Sequence, residues 1–187
     1  MLEKLPTAVG RALRRVRPGL GRLTYHGDAV SSAPAVIEVT SPAFGDRQPM
    51  PARFTADGEG ISPPLRWAKL PLGVRSIALI VEDADSPTPS PLVHAIAWRL
   101  PPDRSEIAEG ELTPGAHHPA LGTNSLLRAG WLPPDPPPGH GEHRYAFQVF
   151  ALDHDPDLGV QPGRSALIRG LRGHTIARGV LIGVYYR

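Results

Sequence analysis

The sequence has no cysteine and no long apolar run. Without cysteine the chain cannot form a disulfide, a thiolate nucleophile or a zinc–thiolate site. The longest apolar runs, such as Ile77–Val81, are far shorter than the roughly 18–20 residues of a membrane-spanning helix. The first residues also lack the continuous apolar stretch of a secretory signal. We therefore expect a soluble, cytoplasmic protein with no transmembrane segment.

Net charge is small as well, because 20 Lys and Arg face 18 Asp and Glu, for a formal charge of +2. This balance gives no reason to expect nucleic acid as a partner. Proline and glycine, in contrast, are abundant, with 23 and 20 residues among 187. So many helix and strand breakers exclude a helical bundle, a coiled coil and a doubly wound parallel sheet, which need long uninterrupted elements. A single loop-rich, mostly β domain is expected.

Residues 1–35 differ in pattern from residues 36–187, so we predict an N-terminal helix and linker before a β domain. The helix has an apolar side and a basic side. Three interpretations stay open: docking on its own domain or on a second copy in a homodimer, peripheral contact with an anionic membrane, and a transit peptide. The apolar positions are Leu2, Leu5, Val9, Leu13 and Val16, and the basic ones are Lys4, Arg11, Arg14, Arg15 and Arg17.

From residue 36 onward, apolar residues alternate with polar ones in short runs separated by turns rich in glycine and proline. This pattern is typical of an antiparallel sandwich or barrel. A short helix is expected at Ser165–Leu171, with Ser165 as its N-cap. The predicted strands are Val36–Thr40, Ala52–Thr55, Ser76–Asp83, Leu92–Leu100, His143–Leu152 and Gly179–Tyr186.

Three of these strands carry polar residues at one end of an apolar face. Asp83 ends one such face, His94 begins another, and His143 and Tyr145 begin a third. The loop Ala84–Pro91 is short enough to make the first two strands antiparallel neighbours, so Asp83 and His94 should meet at one rim. Polar groups above an apolar floor are typical of a binding pocket. The alternation does not decide whether His143 joins them.

Each of these residues also has a purely structural interpretation. A histidine at the start of a strand is commonly just a hydrogen-bonded rim residue, and aspartates before Ser86 and Pro87 commonly cap a turn. Trp67 and Trp131 are expected to anchor the core or a loop. The remaining loop histidines are expected to be solvated, namely His117, His118, His140 and His154.

Four segments, in this order, resemble the phosphatidylethanolamine-binding protein family. The loop Asp83-Ala84-Asp85-Ser86-Pro87 resembles its Asp-Pro-Asp-Ala-Pro loop, with Ala84 and Ser86 as departures. His94 and the strand after it resemble a second motif, and residues 122–145, ending in His143-Arg144-Tyr145, resemble a third. The tail from His174 is similar to the bacterial branch described as Raf-kinase-inhibitor-like. The resemblance covers residues 36–187.

The resemblance implies an antiparallel β-sandwich with a few short helices and a small anion-binding pocket at one edge of its large sheet. It also implies that the C-terminal helix closing the pocket in eukaryotic relatives is absent here. Transferred residue by residue, the implied pocket contains Asp83, Pro87, His94, His143 and Tyr145, with Pro134, Pro136 and Pro137 in its wall.

The expected function is a binding module for phosphorylated headgroups or other small anions, which regulates a protein partner such as a kinase or a protease. Two imidazoles and a phenol can donate to phosphate oxygens, while Asp83 is expected to orient His94 or to accept from a headgroup ammonium. No nucleophile elbow, Walker loop or Rossmann glycine motif is present, so we expect no enzyme activity, metal or cofactor.

Two alternatives stay open. The set of Asp83, His94 and His143 has the two histidines and one carboxylate of a metal-dependent enzyme. The protein could instead act through its N-terminal helix alone, as an interaction protein.

Overall fold

A computed structural model of the chain describes residues 6–114 and 119–187. Two α-helices, nine strands and three short 3-10 turns occur in these residues. The helices are α1 (Thr7–Leu13) and α2 (Arg164–Leu171), and the turns are Leu20–Arg22, Thr24–His26 and Ala52–Phe54. The strands are β1 (Glu38–Thr40), β2 (Gln48–Pro49), β3 (Leu65–Ala68), β4 (Ser76–Asp83), β5 (Leu92–Leu100), β6 (Glu106–Ile107), β7 (Ala120–Leu121), β8 (His143–Leu152) and β9 (Thr175–Tyr185).

The strands form two sheets that pack face to face. The large sheet has the order β2-β9-β8-β4-β5-β7, and the small sheet has the order β1-β3-β6. Every pair is antiparallel except β2 with β9. Between the sheets lies the main core, in which Val39 and Trp67 of the small sheet join the same cluster as Leu79 and Phe147 of the large one. The mostly β, sandwich-like fold expected from the sequence is confirmed.

The other face of the large sheet is covered too. Leu167 and Leu171 of α2, together with Val30, pack against Ile80 and Phe150. With both faces buried, every residue of β4 is buried, which accounts for its nearly continuous apolar sequence. Within the part of the chain that the structure describes, no helix is long and apolar enough to cross a membrane.

A buried carboxylate joins three parts of the molecule. Glu82 of β4 accepts hydrogen bonds from Thr24 N (2.7 Å), Gln148 Nε2 (2.9 Å) and Arg164 Nε (2.5 Å). Gln148 in turn accepts from Tyr25 N (2.7 Å). The segment that leads from α1 to β1 is thereby fixed against the sheet and against α2.

One predicted strand is absent, and four observed strands are not predicted, of which β3 is the longest. Ala52–Thr55 is not extended, because Phe54 N bonds the Pro51 carbonyl (3.1 Å) and the Thr55 hydroxyl bonds the Ala52 carbonyl (2.8 Å), which closes a 3-10 turn. Conversely, β3 was not predicted, because its four residues follow directly on Pro63 and Pro64. Its pairing with β1 and β6, rather than its own pattern, holds it extended.

The boundaries of three further elements differ from expectation, and one of them is β1, which begins at Glu38 instead of the predicted Val36. Gly163, rather than Ser165, is the N-cap residue of α2, with an extended backbone and no side-chain cap. β9 begins at Thr175, four residues before the predicted Gly179, because its pairing with β8 continues to Leu152.

Candidate functional site

Three neighbouring strands of the large sheet bring the predicted polar residues to one edge. Asp83 at the end of β4 pairs with Tyr145 of β8 on one side and with Leu92 of β5 on the other. The His94 and Tyr145 rings meet edge to face with centroids 5.1 Å apart, and those of His143 and Tyr145 stack at 6.3 Å. All four of these polar residues are buried, with at most 4% of their surface exposed. The structure therefore gathers Asp83, His94, His143 and Tyr145 into one buried cluster.

A chain of hydrogen bonds runs from this cluster to α1. His143 Nδ1 donates to Asp83 Oδ2 (2.7 Å), His143 Nε2 lies 2.8 Å from His140 Nδ1, and His140 Nε2 donates to the Leu13 carbonyl (3.0 Å). These three bonds need three N–H protons, whereas two neutral imidazoles carry two. The two rings together therefore hold one additional proton, whose charge Asp83 balances.

The partners of His140 indicate which ring is charged. Burial, followed by the neighbouring charges of His143 and Arg17, lowers the pKa of His140. Arg17 Nη2 also lies 3.4 Å from His140 Nδ1, which suits an acceptor at that atom. Assigning the ring protons from these partners places the additional proton on His143, beside Asp83.

Asp83 thus orients His143, whereas the sequence predicts that it orients His94 or accepts from a headgroup ammonium. His94 is held by a different group, because its Nδ1 donates to the Leu132 carbonyl (2.6 Å) and its own carbonyl accepts from Leu132 N (2.8 Å). The second Asp83 oxygen accepts from Asp85 N (2.8 Å). Both oxygens of the carboxylate are therefore occupied within the protein.

Two polar atoms of the cluster, His94 Nε2 and the Tyr145 hydroxyl, are buried and have no hydrogen-bond partner among the described residues. Burial lowers the pKa of His94, and the nearby Asp83 charge only partly offsets it. Burial also raises the pKa of Tyr145 well above its ordinary value. Neutral His94 uses its proton on Leu132, so Nε2 becomes a donor only when the ring gains a second proton.

The proline residues assigned to the pocket lie in the two flanking loops. Trp131 borders the cluster as well, since its ring lies 6.1 Å from that of His94 and stacks on Phe147. Arg187 pairs with Asp135 in the loop before β8, and it also pairs with Asp57. Pro87 is half-buried after Asp85, whereas Pro134, Pro136 and Pro137 are buried in the loop before β8.

Helix α1 docks on this second loop. Gly10 is its buried residue, and a Cβ added there would lie 2.1 Å from the Pro138 carbonyl oxygen. The apolar side chains expected to dock are not buried, since Val9 and Val16 are 39% and 44% exposed. Leu2 and Leu5 lie outside the described residues. The segment thus docks on its own domain, mainly through its backbone.

A buried ion pair fastens the same segment to the loop after β4. Asp85 accepts from Arg144 Nε and Nη2 (2.7 Å each) and lies 3.0 Å from Arg17 Nη1. Burial acts to raise the pKa of Asp85, but the hydrogen bonds from Arg144 and Arg17 together outweigh burial. The pKa of Asp85 is therefore lowered. Arg17 also donates to the carbonyls of His140 (2.6 Å) and Glu142 (2.7 Å).

His140 was expected to be solvated but is fully buried. The His140-x-x-His143 spacing was the available signal, yet in a loop rich in glycine that spacing is too common to be read as a site. His117 and His118 lie outside the described residues.

In this arrangement, Asp83, His94 and His143 are not set up as metal ligands. Both ring nitrogens of His143 are engaged, and His94 Nδ1 is bonded to a carbonyl. Three other side chains within residues 6–114 and 119–187 do have donor atoms close enough to share an ion, and they lie at the far end of β8.

Comparisons with known proteins agree with this fold. Residues 40–186 match the family model described as phosphatidylethanolamine-binding protein. The UPF0098 protein PH1269 of Pyrococcus horikoshii is 39% identical over 151 residues, which cover 79% of this chain and 75% of that protein. A UPF0098 protein of Aquifex aeolicus is 34% identical over 90% of this chain and 99% of its own length.

Among solved structures, the phosphatidylethanolamine-binding protein homolog CT736 of Chlamydia trachomatis matches with a TM-score of 0.75. It is 33% identical, and the match covers 81% of this chain and 98% of that one. The resemblance read from the sequence motifs is confirmed, and the chain belongs to the phosphatidylethanolamine-binding protein family.

Proposed function

We propose that the cluster around His94 and Tyr145 binds a small phosphorylated or otherwise anionic ligand, such as a phosphorylethanolamine headgroup. The observation that carries this proposal is the pair of buried polar atoms without partners among the described residues, His94 Nε2 and the Tyr145 hydroxyl. Nearly all buried polar atoms in proteins have a hydrogen-bond partner. Two such atoms on rings in contact with each other are therefore suited to a polar ligand.

The charges around the cluster favour an anion. The carboxylate of Asp83 is balanced by the additional proton on the His140–His143 pair and is occupied at both oxygens. An arriving phosphate oxygen accepts from the Tyr145 hydroxyl directly, but from His94 Nε2 only after that ring is protonated. Anion binding is thus coupled to the uptake of a proton.

In this proposal, a ligand reaches the cluster when α1 moves. The four side chains are buried, and the Leu13 carbonyl of α1 ends the hydrogen-bond chain that starts at Asp83. The N-terminal segment therefore acts as a lid in this proposal, and a ligand competes with its docking. A protein partner, of the kinase or protease class expected from the sequence, would sense the ligand through the released segment.

The test is calorimetry of the full chain with inorganic phosphate and with phosphorylethanolamine at mildly acid pH. His94→Gln and Tyr145→Phe each remove one ligand contact, so each should weaken binding by about tenfold or more, as expected for a hydrogen bond to a charged group worth about 1.5–3 kcal/mol.

His26→Gln is the matched control, since His26 is exposed and outside the cluster, and its affinity should equal that of the unaltered chain. Binding by His94→Gln and Tyr145→Phe that is as tight as binding by His26→Gln would refute the proposed site.

The expected cytoplasmic location stays a prediction and is checked by cell fractionation.

A further inference from the structure

A second group of ionisable side chains lies at the other end of β8. Leu152 and Thr175 form the last pair of the β8–β9 ladder, and just beyond it Asp153 N donates to the His174 carbonyl (3.1 Å). Asp153, His154 and His174 are therefore placed side by side by the sheet itself. This group shares no residue with the anion site, so its role does not depend on the proposed function.

The donor atoms of the three side chains converge. His174 Nδ1 lies 2.9 Å from Asp153 Oδ1, and His154 Nδ1 lies 3.8 Å from the same oxygen. The two imidazole rings are 3.8 Å apart between centroids. One ligand atom from each residue lies within 4.8 Å of the other two.

His154 supplies a second, independent observation. Its Nδ1 is buried from solvent and has no hydrogen-bond partner among the described residues, although it is aimed at the Asp153 carboxylate. Its backbone is fixed as well, since its carbonyl accepts from the Ser76 hydroxyl (2.6 Å). An imidazole nitrogen held in this way, beside another imidazole and a carboxylate, is ready to accept a cation.

We propose that Asp153, His154 and His174 bind one divalent transition-metal ion of the zinc, cobalt or nickel class. Imidazole nitrogens suit these metals, whereas Mg²⁺ and Ca²⁺ prefer oxygen ligands throughout. Zinc ligands at about 2.0–2.2 Å from the ion lie about 3.4 Å apart in a tetrahedral site. The 2.9 Å between His174 Nδ1 and Asp153 Oδ1 has to open by about 0.5 Å, and the 3.8 Å between His154 Nδ1 and Asp153 Oδ1 has to close by about 0.4 Å, which small side-chain rotations allow.

His154 and His174 also line a cavity of about 350 Å³, together with Leu158, Arg169 and Arg172 among others. Three protein ligands with one open position are typical of sites that exchange water or a small ligand. The two guanidinium groups favour an anion there. The metal would also link the end of β8 to the start of β9, and so join the two ends of the connection that contains α2.

The experiment uses the full chain without a histidine tag, freed of metal by a chelator that is then removed. Zinc binding is measured by calorimetry, and Co²⁺ is added as a spectroscopic probe of imidazole and carboxylate ligands. We expect one Zn²⁺ per chain and visible Co²⁺ bands of a low-coordinate site. His154→Gln and His174→Gln should each weaken Zn²⁺ binding by at least ~100-fold, more than the loss of an outer partner does.

Two variants serve as controls. His26→Gln changes an exposed histidine outside both groups, and His143→Gln changes the other histidine cluster, so both should bind Zn²⁺ as the unaltered chain does. The His174 side chain is 48% exposed, so His174→Gln should retain the far-ultraviolet circular dichroism of the unaltered chain. Asp153→Asn provides a further ligand-loss variant.

Three results would each overturn the proposal: no Zn²⁺ binding by the unaltered chain, binding that survives in both His174→Gln and Asp153→Asn, or binding lost in His143→Gln but kept in His174→Gln. The last would assign the ion to the other histidine cluster.

Discussion

His94 and His143 are the same residue type in one cluster, yet their partners give them different roles. His143 lies between a carboxylate and a second imidazole, and it holds the additional proton of that pair. His94 lies against the Leu132 carbonyl in an apolar setting, and burial lowers its pKa. The cluster is therefore only partly charged, and under the proposed function His94 is the group whose charge a bound anion would change.

Anion affinity should fall as the pH rises from about 5.5 to 8, because the coupled protons belong to histidines. The pKa of His94 is lowered in the closed protein by burial, with Asp83 opposing and His143 adding to the effect. A bound anion favours the charged ring, so binding takes up a proton above that lowered pKa and weakens with rising pH. For His140 the lowered pKa means that acid favours its release from His143 and Arg17, which acts in the same direction.

Calorimetry with sulfate measures this effect, because sulfate keeps its charge across the range while phosphate does not. Repeating each titration in two buffers of different ionisation enthalpy counts the protons taken up. A flat sulfate affinity across the range would exclude imidazolium as the source of binding.

At the level of secondary-structure elements, α1 is the part of the molecule best suited to move. Seven residues are too few for a stable isolated helix, and its docking buries Gly10 rather than its larger apolar side chains. It is further attached by the hydrogen bond to the Leu13 carbonyl and, through the residues that follow it, by the hydrogen bonds of Arg17 and its ion pair with Asp85. Such a small, polar interface is readily exchanged for a ligand.

Gly10→Ala should release α1 and strengthen phosphate binding. The added Cβ would lie 2.1 Å from a backbone oxygen that no side-chain rotation can move. If the closed state is about 90% populated, losing it raises the apparent affinity about tenfold. Calorimetry measures the affinity, and hydrogen exchange of residues 7–13 reports the release.

Gly21→Ala is the matched control, because nothing lies within 4 Å of a Cβ at that position. It should change neither quantity. Weaker phosphate binding in Gly10→Ala, together with faster exchange, would mean that α1 completes the site instead of covering it.

The sequence predicts the long elements better than the short ones. The bounds of β4, β5 and β8 follow from their own residues, since each holds eight or more residues of consistent pattern. β2, β6 and β7 have two residues each and exist only through their partners, which no local pattern reveals. The turn at Ala52–Phe54 is closed by hydrogen bonds to the Pro51 and Ala52 carbonyls, which the alternation of the residues after Pro51 does not reveal.

The same distinction applies to the site. Asp83, His94, His143 and Tyr145 lie at ends of long strands, so alternation and a short loop suffice to place them near one edge. The pairing of Asp83 with His143, and the burial of His140, depend on how the loop before β8 folds back under α1. Those contacts join residues far apart in the chain, 60 positions for Asp83 and His143 and 127 for Leu13 and His140, and are set by tertiary packing.

For the whole molecule, Glu82 is the main polar link between the sheet, α2 and the N-terminal segment. Its carboxylate is fully buried, and its partner Arg164 is 30% exposed. Breaking a buried ion pair leaves a charge without its partner and typically costs about 3–5 kcal/mol. Loss of the Glu82 carboxylate is therefore expected to lower the free energy of unfolding more than loss of a surface carboxylate does.

Glu82→Gln should lower the free energy of unfolding by about 3 kcal/mol, measured by urea denaturation with an unchanged slope. Glu106→Gln is the control, because Glu106 pairs with Arg66 at the surface, where both side chains are more than half exposed. Its effect should stay below about 1 kcal/mol. Equal effects of the two substitutions would show that the buried network contributes no more than a surface pair.

Strand β8 separates the two clusters. His143 is its first residue, and Asp153 follows directly on its last. At about 3.4 Å per residue, its ten residues hold the clusters roughly 30 Å apart, several times the screening distance of about 8 Å at physiological ionic strength. Because β8 is also a central strand of the large sheet, it cannot shift without disturbing its neighbours on both sides. On the two proposals above, the sites are therefore too far apart for their charges to interact, and one chain would hold a cation and an anion at once without either altering the other's affinity.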